Sequence, residues 1–156
     1  MRSLALALVA ASACGTTTIV DNAPLPPLHA IALLCADNPQ RETHAATEGV
    51  RAACHEVAAR EVKLLVDSQM LRWPSDTTPR LFDVLADRNA VDGFILCRFS
   101  YSETTERVSS VRLTLVDKHG AILRTAIVHA PDQGVKPRDA ARELCRALFA
   151  ERGAQK

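Results

Sequence analysis

The chain has five cysteines, the residue type with the widest range of chemistry, at Cys14, Cys35, Cys54, Cys97 and Cys145. A thiol can act as a nucleophile, bind a metal ion, carry a lipid or form a disulfide. The spacings contain no paired C-x₂₋₄-C motif of the kind that structural zinc sites use, so we expect no metal. Cys14 ends a short apolar segment, whereas the other four lie within the apolar patterns of the folded part. Setting Cys14 apart leaves an even number of cysteines, which suits disulfides in an exported protein.

Other candidate sites fail on geometry. Cys54 and His55 could form a nucleophile and base, but adjacent helical residues point about 100° apart and cannot hydrogen-bond. His44 and His55 would lie about 16 Å apart along a helix, too far to share a metal ion. The segment after the first apolar strand, ADNPQRE, has no glycine for a phosphate-binding loop. The sequence therefore predicts no catalytic residue, no cofactor and no metal site.

Composition limits the function classes further. Hydrophobic residues make up 47% and charged residues 24% of the 156 residues, which is typical of one globular domain. Nineteen basic and eighteen acidic side chains leave a net charge of +1, without the positive surplus that phosphate backbones require. We therefore expect no nucleic-acid partner.

The first residues, MRSLALALVAASACG, have the layout of a secretory signal. Arg2 precedes an apolar run and small residues follow it, and the run is far shorter than the ~20 residues of a transmembrane helix. We predict that residues 1–13 are a signal peptide. Cleavage after Ala13 would release a soluble periplasmic protein. Alternatively, the small residues ending in Cys14 resemble the lipobox of bacterial lipoproteins, although Ala11 stands where that motif prefers leucine.

The second alternative implies that Cys14 carries acyl chains such as palmitate and anchors the protein to a membrane. In lipoprotein families, Gly15 after the cysteine implies sorting to the outer membrane. The following segment is small, polar and proline-rich, so we expect residues 14–28 to form a lipidated cysteine and a tether. The expected location is the periplasmic face of the outer membrane, with a soluble periplasmic protein as the alternative.

Residues 29–150 show the pattern of an α/β domain, and residues 151–156 are expected to be a tail. Apolar runs predict strands, and apolar positions at helical spacing predict helices. The prediction consists of strands at 29–37, 62–69, 91–102, 108–117 and 121–129, and of helices from about 38 to 60, from 79 and from 137. The order is β-α-β-α-β-β-β-α, so the first three strands are parallel and the last two form a hairpin. We predict a five-stranded mixed sheet with helices packed on it.

This arrangement suggests two disulfides. Cys35 and Cys97 fall late in two parallel strands, and Cys54 and Cys145 lie on the apolar stripes of two helices that could share one face of the sheet. The pairs Cys54–Cys145 and Cys35–Cys97 are therefore possible disulfides, each worth about 2–4 kcal/mol in an oxidising compartment. Four buried free thiols are the alternative, because cysteine packs well as a small apolar residue.

The order of these segments resembles a group of envelope proteins. IALLCADNP, VKLLVDS, VDGFILCRFS and VRLTLVDKHGAIL, with a closing amphipathic helix, are similar to the group containing the curli-export lipoprotein CsgG, the amino-terminal domain of TolB and small outer-membrane lipoproteins. The resemblance covers residues 29–150. SYSETTERVSS is too short and too polar for a membrane-inserting hairpin, so pore formation is not implied.

The resemblance implies a non-catalytic accessory domain that faces the periplasm. Such a domain would support assembly or export of an envelope component by binding other envelope proteins, as a ring or another homo-oligomer. A soluble periplasmic binding domain and a periplasmic enzyme are the alternatives.

Overall fold

The computed structural model describes residues 6–12, 15–21, 25–35, 44–60, 64–66, 79–102, 107–130 and 134–150. The strands are β1 (Leu6–Ser12), β2 (Gly15–Asp21), β3 (Ala30–Cys35), β4 (Leu64–Val66), β5 (Gly93–Tyr101), β6 (Val108–Asp117) and β7 (Ile122–His129). The helices are α1 (His44–Arg60), α2 (Pro79–Asn89) and α3 (Pro137–Phe149). Within these ranges all strands belong to one sheet, in the order β1-β2-β7-β6-β5-β3-β4.

The predicted five-stranded mixed sheet with three helices is confirmed by β3 to β7 and α1 to α3. β3 runs parallel to β4 and to β5, because α1 and α2 form the crossovers between them. β6 and β7 pair antiparallel, as the hairpin pattern predicts, and β5 pairs antiparallel with β6. The expected start of α1 near Asn38 lies outside the described residues.

The structure differs from the expectation in the amino-terminal segment. Residues 15–21, expected within the tether, form β2, which pairs antiparallel with β7, and residues 6–12 pair with β2 as β1. The β-branched run Thr16–Val20 favours this extended conformation. Thr17 is only 3% exposed, and its hydroxyl donates to Glu143 Oε1 on α3 at 3.2 Å. β2 is thus part of the folded domain, while cleavage after Ala13 stays a prediction.

One face of the sheet carries the main core. α1 and α3 pack side by side on it, and their buried residues contact the inward residues of β3, β5, β6 and β7. On α1 these residues are Val50, Ala53, Cys54, Val57 and Ala58, which recur at helical spacing. The charged side of α1 faces solvent, where Glu48 pairs with Arg51 at 2.7 Å.

The other face of the sheet is covered by α2 over only part of its width. Phe82 and Ala86 of α2 pack with Phe94, Leu96 and Val116 in a smaller second core. The Phe82 and Phe94 rings lie 5.3 Å apart between centroids. This smaller core lies over the strands on the β3 side of the sheet.

The turn between β6 and β7 is docked on α2. Asp117 Oδ1 accepts hydrogen bonds from the backbone N–H groups of His119 and Ala121, and Gly120 has a φ of +84°. A Cβ at Gly120 would lie 2.5 Å from a Phe82 ring carbon, so only glycine fits here. The predicted hairpin is confirmed, and its turn also fixes the position of the hairpin against α2.

A buried arginine joins α3 to the sheet. Arg124 on β7 is 5% exposed, and its Nη1 donates to the carbonyl oxygens of Ala147, Leu148 and Ala150 at 3.1, 2.8 and 2.9 Å. The last carbonyls of a helix have no partner within the helix, and they carry partial negative charge. A guanidinium at this end therefore satisfies them and holds the helix terminus on β7.

We expect Arg124→Met to lower the free energy of unfolding by about 2–4 kcal/mol, because it removes charge-assisted hydrogen bonds from a buried helix end. Arg112→Met on the neighbouring strand is the matched control, since Arg112 is exposed, and it should change stability by less than about 0.5 kcal/mol. Urea unfolding of both variants measures this. Equal losses in the two variants would contradict a special role for Arg124.

Candidate functional site

Part of the sheet has no described helix packed over it, on the same side as α2. Because side chains alternate along a strand, this side of β5 carries Phe94 and Leu96 under α2, followed by Arg98 and Ser100 beyond it. The strand register places residues of β6, β7 and β2 on the same side of the sheet, next to Arg98 and Ser100. We call it the open face; its described residues are Thr16, Thr18, Val20, Arg98, Ser100, Ser110, Arg112, Thr114, Thr125, Ile127 and His129.

Two arginines lie directly opposite each other on the open face. Arg98 of β5 and Arg112 of β6 are register partners, and both are exposed. Opposite residues on antiparallel strands have Cβ atoms about 4.5–5.5 Å apart, and like charges in this arrangement repel. The register therefore places two positively charged side chains next to each other on this part of the open face.

The surroundings of the pair add hydroxyl groups and another basic residue. Ser100 is opposite Ser110, which is in turn opposite His129 on β7. Among the described strand residues of the open face, none is acidic. The surface therefore combines positive charge with hydrogen-bonding groups over four strands.

The predicted disulfide between Cys54 and Cys145 is present. Both residues are 0% exposed, and their Cα atoms lie 5.7 Å apart. The bond joins α1 to α3 in the middle of the main core, across 91 positions of sequence. It also leaves Cys54 without a free thiol, while His55 is exposed, so this pair cannot act as nucleophile and base.

The possible Cys35–Cys97 disulfide is not formed; both residues are free thiols. Their strands are parallel neighbours and the two residues are register partners, as the topology predicts. However, strands lie about 4.8 Å apart and their side chains stand side by side, whereas a disulfide needs Cβ atoms about 3.5–4.5 Å apart and directed toward each other. Burial, followed by a hydrogen bond with Cys35, raises the pKa of the Cys97 thiol well above its ordinary value. Cys97 is thus a neutral, packed side chain.

We expect reduction of the disulfide to lower the midpoint of thermal unfolding by about 4–16 °C. A disulfide stabilises a protein by about 2–4 kcal/mol, and each kcal/mol shifts the midpoint of a domain of this size by about 2–4 °C. Unfolding of the wild type should therefore shift when a reductant is added. Cys54→Ala/Cys145→Ala should show no such shift, whereas the control Cys35→Ala/Cys97→Ala should shift like the wild type. A control that no longer responds to reductant would place the bond between Cys35 and Cys97 instead.

The acidic residues at strand ends have structural partners. Asp92, just before β5, accepts hydrogen bonds at Oδ2 from the backbone N–H groups of His29 and Ala30, at 2.8 and 3.1 Å. These two hydrogen bonds lower the pKa of the Asp92 carboxyl below its ordinary value. The carboxylate thereby holds the start of β3 against the start of β5.

The lowered pKa gives a pH dependence. A depressed folded-state pKa stabilises the protein above the unfolded pKa of about 3.9, and the contribution is lost as the pH falls through the folded value. We expect wild type to be more stable than Asp92→Asn at neutral pH, with the difference shrinking below about pH 4. Urea unfolding across this range tests it. A difference that stays constant into acid would show that the charge of Asp92 contributes nothing.

The remaining predicted residues are placed as follows. Cys14, the predicted lipid carrier, lies outside the described residues. Within the described residues, no group of three or more His, Cys, Asp and Glu side chains is arranged to hold a metal ion. Local sequence patterns do not single out Arg98 and Arg112. Each arginine interrupts an apolar strand, but the register that brings the two together depends on the exact pairing of β5 and β6.

The described residues form a mixed α/β domain in which α1 and α3 pack on one face of the sheet and α2 packs on part of the other. The fold is similar to that of PelC from Paraburkholderia phytofirmans, solved as a dodecamer of a leucine-to-methionine variant. The TM-score is 0.51 at 12% sequence identity, over 86% of this chain and 96% of that chain. This likeness concerns the fold alone. No protein-family model and no curated protein sequence matches the chain. Among the described helices, none has the length and hydropathy needed to cross a bilayer.

Proposed function

We propose that this protein is a non-catalytic lipoprotein on the periplasmic face of the outer membrane. In this proposal it supports assembly or export of a cell-envelope component through protein contacts. The observation that carries the proposal is the amino-terminal pattern, in which a signal-like segment ends in small residues and Cys14. The resemblance of residues 29–150 to the group of CsgG and TolB belongs to the same proposal.

The buried disulfide supports an exported protein. Disulfides persist in oxidising compartments such as the periplasm and are rare where thiols are kept reduced. Cys54 and Cys145 are both fully buried within the main core. A protein whose core contains this bond is suited to folding after export.

An accessory role without catalysis is supported by how the chain uses its polar groups. Asp92 and Asp117 bind backbone N–H groups, Arg124 binds the end of α3, and Cys54 is bonded to Cys145. Each of these residues therefore stabilises the fold. The groups that remain on the open face suit binding of a partner rather than a reaction.

A homo-oligomer is part of the proposal. The structurally similar PelC is a dodecamer. The likeness in fold is the support for self-association of this chain. The alternative function is a soluble periplasmic binding domain that starts at Cys14 without lipid.

The intact mass of the protein extracted from cell envelopes tests the proposal. We expect a mass equal to residues 14–156 plus acyl chains, and we expect Cys14→Ser to lose the acyl mass and to leave the membrane fraction. Cys35→Ser is the matched control and should keep the acyl chains. An unmodified chain starting at Cys14 would support the soluble alternative, and retention of residues 1–13 would refute export by this signal.

Native mass spectrometry of the detergent-extracted protein tests the oligomer. We expect a mass several times that of one chain. Crosslinking in intact cells should also capture a reproducible envelope protein. A strictly monomeric protein with no neighbour in the envelope would contradict the accessory role.

A further inference from the structure

The two free thiols of the folded domain are neighbours in the sheet. Cys35 is the last residue of β3, and its register partner on the parallel strand β5 is Cys97. Both lie on the side of the sheet that α1 and α3 cover, where Cys97 is fully buried and Cys35 is partly exposed. The two sulfur atoms interact, because burial and then a hydrogen bond with Cys35 raise the pKa of the Cys97 thiol. The topology thus places two sulfur ligands side by side.

The spacing of this pair suits a bridging metal ion better than a disulfide. Neighbouring strands lie about 4.8 Å apart, and side chains at register positions stand beside each other, which keeps the two sulfur atoms from bonding directly. Two metal–sulfur bonds of about 2.3 Å each span about 4.6 Å when they are placed end to end. A metal ion between Cys35 and Cys97 therefore fits the strand spacing.

The pair also lies where open α/β sheets bind their ligands. β3 and β5 are neighbours in the sheet, but the chain leaves β3 toward β4 on one side and leaves β5 toward β6 on the other. Ligands bind at the carboxyl ends of parallel strands, at the point where the chain departs in opposite directions. Cys35 is at the carboxyl end of β3 and Cys97 is beside it. The position and the residue type thus point to the same site.

The number and type of ligands select the metal. Thiolates prefer soft ions such as Cu(I), whereas Mg²⁺ and Ca²⁺ prefer oxygen ligands. Structural Zn²⁺ takes four ligands, and no third His, Cys, Asp or Glu joins the pair in the ranges that the structure describes. Two sulfur atoms are enough for Cu(I), which is stable with two ligands in a line.

We propose that Cys35 and Cys97 bind a Cu(I) ion between β3 and β5. The ion forms two copper–sulfur bonds and displaces the thiol protons to solvent. The complex has a net negative charge, and the partial exposure of Cys35 keeps this charge near water. The two ligands are separated in the chain by α1, β4 and α2, so no short cysteine motif predicts the site. The proposal is independent of the lipid anchor and of the partner contacts proposed above.

Transfer of copper to the purified protein tests the proposal. The protein comes from cells that express the full chain with Cys14→Ser, which leaves Cys35 and Cys97 as thiols while the disulfide stays intact. Cu(I) is supplied without oxygen as its coloured complex with bicinchoninate, and loss of colour measures the transfer. We expect this parent protein to take up one Cu(I) per chain, and we expect Cys35→Ala/Cys97→Ala to take up none.

The matched control is Cys54→Ala/Cys145→Ala, which removes two cysteines from the same core and should still take up one Cu(I). Cu(I) should also raise the midpoint of thermal unfolding of the parent protein, because the ion joins β3 to β5 only in the folded state. The midpoint of Cys35→Ala/Cys97→Ala should not respond to Cu(I). The same unfolding curves show that each variant is folded.

X-ray absorption of the copper-loaded protein identifies the ligands, and we expect two sulfur neighbours without nitrogen or oxygen. Nitrogen or oxygen ligands, equal uptake by the Cys35/Cys97 variant, or loss of uptake in the Cys54/Cys145 control would overturn the proposal. Thiol alkylation of protein taken from cell envelopes, before and after reduction, gives a further check. A Cys35–Cys97 disulfide in that protein would also overturn the proposal, since it would leave no thiol for the metal.

Discussion

The packing of α1 and α3 on one face of the sheet is the interaction on which the rest of the structure depends. The Cys54–Cys145 bond fixes the two helices to each other, and Arg124 fixes the end of α3 to β7. The disulfide is fully buried and Arg124 is only 5% exposed, so breaking either contact is costly. One face of the sheet is thus fully committed to the core. Any surface for binding must come from the opposite face, the sheet edges or the outer sides of the helices.

The geometry of the opposite face explains why it is open. A helix is about 10–12 Å wide and strands are about 4.8 Å apart, so one helix covers two or three strands. α2 is the described helix of this face, and it lies at the β3 side of a sheet that extends through β6, β7 and β2. Most described outward positions of β2, β6 and β7 are polar, and Val20 and Ile127 are apolar. On the same side, Arg98 and Arg112 lie directly opposite each other on β5 and β6.

Local sequence patterns predicted β3 to β7 and the helices, because the spacing of apolar residues within each segment is enough to indicate a strand or a helix. The contacts between distant segments were harder to predict. β2 forms because β7, more than a hundred residues later, supplies its partner, and the threonine run alone resembled a tether. Arg124 is a charged residue at a position that faces the core, whereas its charge alone would predict an exposed side chain. Its partners are backbone carbonyl groups, which cannot be recognised from the residue types of α3. The prediction that Cys35 and Cys97 lie on neighbouring strands was confirmed, but the possible disulfide between them is not formed.

The pairing of β1 with β2 gives signal cleavage a structural consequence. β1 consists of residues 6–12, all within the segment that cleavage after Ala13 would remove, and its backbone pairs with β2 along the whole length of that strand. Cleavage would remove β1, which is the edge strand of the sheet, and would leave β2 as the new edge strand. The outer N–H and C=O groups of β2 would then be free to pair with another extended chain, as exposed edge strands do. The same cut that frees the protein from its signal would therefore also create a new edge for association.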